Sequence, residues 1–178
     1  MKSVTLLRHA KSSWDDPVER DFDRPLNMKG RRAATRMGRY LRDEGLAFDH
    51  LVASPAVRVI ETLDGVEEGY GAKIAAAFDK RVYMAAGETL LDIVHETDAD
   101  ADRLLLMGHN PGLEDLIFML VPPGQSDARA AIDVKFPTAT LCEMIFDTNN
   151  WEEIAAGAGR IERLVRPRDL DPDLGPDG

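Results

Sequence analysis

A single cysteine, Cys142, stands in the 178 residues. One thiol closes no internal disulfide and builds no cysteine zinc site, which excludes covalent and thiolate–metal staples as the source of the fold. Its neighbours, Thr140-Leu141-Cys142-Glu143-Met144-Ile145-Phe146, read as a strand and make the thiol a small buried apolar group. Long apolar runs are missing: none approaches the ~18 residues of a membrane span. Arg8 interrupts the run Val4-Thr5-Leu6-Leu7 too early for a secretory-signal core. The expectation is a cytoplasmic protein with no membrane partner. Positive charge is also scarce. Lys and Arg number 22 against 32 Asp and Glu, a net charge of −10, which argues against broad binding to nucleic acid. Any phosphate handled by this chain needs a local cationic site. What is present is a core: 44% of the residues are hydrophobic, enough for one domain at about 150 residues per domain.

Strand-like and helix-like patterns alternate along the chain. Val4 to Leu7 is a short strand. Asn27 precedes a helix with Ala33, Met37 and Leu41 on one face and Gly45 as its stop. His50 to Ala53 is a second strand, and Ser54-Pro55 opens a helix carrying Ala56, Ile60 and Leu63. Lys73 to Ala77 is a weaker strand, followed by a helix over Gly87 to Glu96. Arg103 to Met107 is the clearest strand, and Asn110-Pro111 opens a helix with Leu113, Leu116, Ile117 and Leu120 inward. Ala139 to Asp147 and Trp151 to Ala156 read as late strands paired across Thr148-Asn149-Asn150, with Ile161 to Val165 an edge strand. This order predicts a single α/β domain over residues 1–166, with a mostly parallel central sheet and helices on both faces. Pro122 to Asp127 reads as a loop. Residues 167–178, rich in Asp, Pro and Gly, read as a flexible C-terminal tail.

The informative residues gather where strands end. The first strand runs into Arg8-His9-Ala10-Lys11, the second into Ser54-Pro55-Ala56-Val57-Arg58, and the strongest into Gly108-His109-Asn110-Pro111. Ligands of open α/β sheets bind outside the carboxyl ends of the strands, so Arg8, His9, Arg58 and His109 should share one edge. Ser54 and Asn110 are favourable N-cap residues, each followed by proline. Two helix N-termini would then add amides and partial positive charge. Two guanidiniums, two imidazoles and two helix ends make a site for a phosphoryl group. His50 and His95 lack such company and read as structural or exposed. The flanking arginines argue against metal ligation by His9 and His109, since fixed cations repel a divalent ion.

Leu7-Arg8-His9-Ala10, Ser54-Pro55-Ala56-Val57-Arg58-Val59-Ile60-Glu61-Thr62 and Gly108-His109-Asn110-Pro111 resemble the three signatures of the histidine phosphatase superfamily, which includes phosphoglycerate mutases. The compact length, Arg8 to Trp14, and Asp21-Phe22-Asp23-Arg24-Pro25-Leu26 with Gly30 resemble the SixA-type phosphohistidine phosphatase branch. The resemblance implies a phosphoglycerate mutase-like three-layer fold and a metal-independent phosphatase without a cofactor. It makes His9 the phosphoryl-accepting nucleophile, Arg8 and Arg58 the clamps on its oxygens, and His109 the second histidine. Lys11, Arg24, Ser54 and Asn110 are expected to assist in binding substrate. The general acid of ester-cleaving relatives has no clear counterpart; Glu88, the nearest carboxylate, is the candidate, and it also reads as an acid opening a helix. An alkoxide leaving group needs such an acid more than an imidazole does, so the gap favours phosphohistidine on a partner protein, with phosphate as product. The alternatives are a phosphatase or mutase for a small phosphate ester, and a non-catalytic phosphate-binding or scaffold domain.

Overall fold

The computed structural model describes residues 1–15, 17, 18 and 20–175. Its sheet has six strands: β1 (Lys2–Arg8), β2 (His50–Ala53), β3 (Ala76–Phe78), β4 (Arg103–Gly108), β5 (Leu141–Phe146) and β6 (Gly159–Val165). They lie in the order β3-β2-β4-β1-β5-β6. The first four in that order run parallel, and β5 is antiparallel to both neighbours. Helices α1 (Met28–Asp43) and α2 (Val57–Tyr70) cover one face. Helices α3 (Gly87–His95), α4 (Gly112–Leu120) and α5 (Asp127–Val134) cover the other.

Strand alternation makes these three layers. Val4 and Leu6, Leu104 and Leu106, and Val52 point to the side of α3, α4 and α5. Leu7, Leu105 and Met107, and Leu51 and Ala53 point to the side of α1 and α2. Each central strand is therefore apolar on both faces, as a sheet buried between two helical layers requires. Cys142 is fully buried on β5, where burial pushes its thiol pKa up to about 12. Helix α1 begins as its sequence indicates, with the Asn27 side chain accepting from the Gly30 amide, and Gly45 follows its end at φ +65. Gly30 is a close-approach position: a Cβ there would lie 2.1 Å from the Lys11 carbonyl oxygen. That contact seats the start of α1 against the loop leaving β1.

Two expectations differ from the structure, and one helix is unexpected. Trp151 to Ala156 is not a strand. Residues Trp151–Glu153 form a 3-10 turn that buries Trp151 and Ile154, three positions apart, and the indole N–H donates to the carbonyls of Asp98 and Ala101. The loop after Pro122 leads directly into α5, which buries only Arg129 and Ile132 and so shows little apolar periodicity; its signal is the Ser126 cap on the Arg129 amide. The expected tail folds back over α1 as a short helix, α6 (Pro167–Leu170), and a 3-10 turn over Pro172–Leu174. Leu170 and Leu174, four apart, pack into the α1–α2 core, and the Lys29 ammonium donates to the Gly175 carbonyl. No helix among the described residues is long and apolar enough to cross a membrane.

Candidate active site

Register brings the three strand ends together. Arg8 on β1 is level with Gly108 on β4, and Ala53 on β2 is level with Met107. The residues that follow therefore emerge side by side. The His9 amide donates to the Gly108 carbonyl and the Ser54 amide to that of Met107, which extends the ladder one step past the sheet. Arg58 reaches the same edge from the first turn of α2, and Thr62, one turn on, accepts from the Ala10 amide while donating to the Arg58 carbonyl.

The rings of His9 and His109 lie 5.2 Å apart, centre to centre, and both are buried. Nδ1 of His9 is 2.7 Å from the Ala10 carbonyl. A carbonyl only accepts, so Nδ1 carries the proton and Nε2 keeps its lone pair. Burial, opposed in part by that hydrogen bond and reinforced by Arg8, His109 and Arg58, lowers the His9 pKa to about 3. Burial and the Arg58 charge lower that of His109 to about 4. Both rings are neutral at physiological pH. Nε2 of His109 lies 2.8 Å from the Ser54 hydroxyl, which also accepts from the Ala56 amide. The serine hydroxyl can donate to Nε2 or accept from it, and Nδ1 has no partner among the described residues.

Asp21 organises the cations. Its carboxylate accepts from Arg58 at 3.0 Å, Arg24 at 2.9 Å and the Tyr83 hydroxyl at 2.8 Å, and its carbonyl accepts a second Arg58 bond at 2.9 Å. Partial burial raises its pKa, but the bonds from Tyr83 and Arg24 and the Arg58 charge outweigh this and hold it down to about 2. Tyr83 stands edge-on to the His109 ring at 5.4 Å and beneath the Arg58 guanidinium. Arg24 also donates to the Ser12 hydroxyl and lies 3.8 Å over the exposed Trp14 ring. On the other side, the Phe136 carbonyl accepts from both Arg8 and Asn110. Two buried N–H groups, Nε of Arg8 and Nε of Arg58, find no acceptor among the described residues, and Nδ1 of His109 is likewise without a partner there. An unmade buried bond costs about 1–3 kcal/mol, so two such guanidinium donors beside the unprotonated Nε2 of His9 fit an anion with several oxygens.

A cleft of about 460 Å³ opens above these groups. Arg8, His9, Arg58, His109, Lys11, Arg24 and Asn110 all line it. Two expected binding residues do not. Ser54 is wholly buried under His109 and acts on that ring. Glu88 is exposed in the first turn of α3, outside the cleft lining. The two helix starts also differ from expectation. Helix α2 is capped at Ala56 and α4 at Pro111, neither with a side-chain cap bond. The Ser54 side chain is committed to His109, and the Asn110 amide to Glu114 and Phe136, across a cis Asn110–Pro111 bond. Sequence reading passed over Tyr83 and the Phe136 carbonyl. The aromatic order Phe22, Tyr83, His109 and the lone backbone oxygen carry no spacing that marks them. Among the described residues no group of three or more His, Cys, Asp or Glu is placed to hold a metal ion.

Similarity to known proteins covers the same ground. The histidine phosphatase superfamily (branch 1) pattern matches residues 4–82. An uncharacterised Mycobacterium tuberculosis protein is 30% identical over 164 residues, spanning 91% of this chain and all of the relative. The crystal structure assigned as phosphohistidine phosphatase SixA from Agrobacterium tumefaciens superposes with a TM-score of 0.76 at 29% identity, covering 93% of this chain and 98% of that one. A SixA structure with the same assignment from Nakamurella superposes at 0.77 with 26% identity, covering 93% and 96%.

Proposed function

The chain belongs to the histidine phosphatase superfamily and is by class a phosphatase; from that premise we propose that it hydrolyses phosphohistidine on a partner protein through a phosphoryl group carried on His9. In the first step Nε2 of His9 attacks phosphorus. The P–N bond to the substrate imidazole breaks with its electron pair going to that nitrogen, and a P–N bond forms to His9. In the second step water attacks, the new bond breaks back onto Nε2, and inorganic phosphate leaves with the water proton passing to a phosphate oxygen or solvent. Arg8, Arg58 and His109, in its Nδ1–H tautomer, hold the phosphoryl oxygens, which supplies the positioning and charge stabilisation that phosphoryl transfer needs. Splitting the hydrolysis in two lets the His9 imidazole replace the substrate imidazole first and water replace the His9 imidazole second, with imidazole the leaving group both times. Residues 1–174 form the working unit in this reading. No step calls on a metal or cofactor.

The observation that carries the choice of substrate is the cleft's donor set. Among its described lining residues there is no Asp or Glu. Asp21, whose carboxylate holds the lining residues Arg58 and Arg24, has a pKa of about 2 and accepts from three side chains, so it is ionised and donates no proton; Glu114 accepts from Asn110. An alkyl ester leaving as alkoxide lacks its acid here. A phosphoimidazole protonated on its second nitrogen leaves as neutral imidazole and needs none. The A. tumefaciens SixA assignment points the same way. The test is a substrate panel of phosphohistidine peptides, sugar phosphates and phosphoglycerate with the wild type and His9→Ala. The expected result is turnover of the peptides well above the esters, lost in the variant. Faster ester turnover contradicts the reading.

A further inference from the structure

The charge of the cleft is opposite to that of the chain. Of its twenty described lining residues eight are Lys or Arg and none is acidic, although the chain has 22 basic and 32 acidic residues. The phosphoryl group accounts for Arg8 and Arg58 only. At about 460 Å³ the cleft is the size of a whole small-ligand pocket, and its far wall carries Lys135 and Arg168, both exposed and in no ion pair with a described residue. Lys135 is fixed near the site because the next residue, Phe136, holds Arg8 and Asn110 through its carbonyl. Arg168 is fixed by α6, whose Pro167 is buried and whose Arg166 is paired with Asp169. Beyond residue 174, which borders both, a second hollow is lined by Arg32, Arg36 and Arg39 of α1, with Arg31, which is paired to Glu61, and one acid, Asp171. The basic surface thus runs from the nucleophile along the outside of α1.

Apolar side chains edge the same surface. Trp14 and Met84 line the cleft while 81% and 74% exposed. Met28 and Val134, exposed at 82% and 88%, adjoin the lining residues Lys29 and Lys135. Exposed aromatic and thioether groups around cations suit a protein surface better than a small diffusible anion, which has nothing to lay against them. We infer that this basic track docks an acidic segment flanking the phosphohistidine of a partner protein; the inference rests on the phosphohistidine reading above and adds the charge of the substrate. The rest of the chain carries a net negative charge, which disfavours an acidic partner elsewhere and helps to orient its approach.

The test compares two phosphohistidine peptides, one flanked by Asp and Glu and one by Lys and Arg, with wild type, Lys135→Glu/Arg168→Glu and the milder Lys135→Gln/Arg168→Gln. In wild type the acidic peptide should have a kcat/KM about tenfold higher, as two or three exposed ion pairs would provide. The advantage should lie in KM and shrink as salt is raised. The Gln pair should reduce the preference and the Glu pair should abolish it. Equal turnover of the two peptides, or a preference that the variants leave intact, overturns the inference while the phosphohistidine reading stands. Turnover of neither peptide overturns both. Faster turnover of a small phosphate ester bearing a second phosphate than of the acidic peptide assigns the cations to a small molecule and likewise overturns it.

Discussion

Lowering the pH should destabilise this protein through its two site imidazoles. In the folded state His9 titrates at about 3 and His109 at about 4, held down chiefly by burial. In the unfolded chain each takes up a proton near the ordinary value of about 6.5. Between those limits the unfolded state binds more protons, so stability is full above pH 6.5 and falls as pH drops toward 4. From pH 6 to pH 5 the two groups together remove about 2 kcal/mol. Asp21, lowered to about 2, acts in the same direction but below pH 4, outside this interval. Other carboxylates contribute their own slopes, so the comparison is between wild type and His9→Gln/His109→Gln, in which only the imidazole contribution is gone. Urea unfolding followed by circular dichroism at pH 6 and pH 5 measures it. The wild type should lose about 2 kcal/mol more than the double variant. Equal losses would show that the rings take up protons as freely in the folded protein as in the unfolded one, and the neutral, buried nucleophile would have to be abandoned.

Other changes test the supports of the site. Ser54→Ala leaves Nε2 of His109 buried without its partner and should cost about 1–3 kcal/mol in urea unfolding, together with a fall in kcat; unchanged stability would mean that the ring is held elsewhere. Asp21→Asn removes the anion that orients Arg58 and Arg24 and should lower kcat/KM about tenfold, roughly 1.4 kcal/mol of transition-state stabilisation; an increase would show that Asp21 competes with substrate. Deletion of residues 167–178 uncovers the core beneath Leu174 and should destabilise by about 2 kcal/mol, the burial of one leucine; a truncated chain as stable as wild type would refute that packing. Gly30→Ala drives a methyl into the Lys11 carbonyl and should lower the melting temperature measurably, whereas an unchanged value would show that α1 shifts freely.

The proposed catalytic cluster was legible because its residues sit at strand ends. Runs such as Arg103 to Met107 identify parallel strands, and parallel strands deliver whatever follows them to one edge, so Arg8, His9, Arg58 and His109 could be brought together without any pairwise signal. What surrounds them was less legible. Ser54 and Asn110 have the chemistry of N-caps, but a hydroxyl beside a buried imidazole is drawn to the stronger demand, and local cap preference yields to tertiary hydrogen bonding. Tyr83 arrives from a 3-10 turn after β3 with no periodic pattern. The residues after 166 look like a tail by composition, yet Leu170 and Leu174 four apart suffice to bury them on α1. Trp151 shows the same limit from the core side: its spacing of three to Ile154 puts both on one side of a tight turn, not of a strand, and the carbonyls of Asp98 and Ala101 hold the indole there.

The central claim is that His9 carries the phosphoryl group. Phosphohistidine survives alkali, so the most direct measurement mixes the enzyme with a phosphohistidine peptide, quenches in base within the first turnover and maps the modified residue by mass spectrometry. One phosphoryl group on His9, absent from His9→Ala and decaying at the rate of phosphate release, is the predicted result. Phosphate released in the same burst with His9 unmodified, or a phosphoryl group found on another residue, would contradict the account.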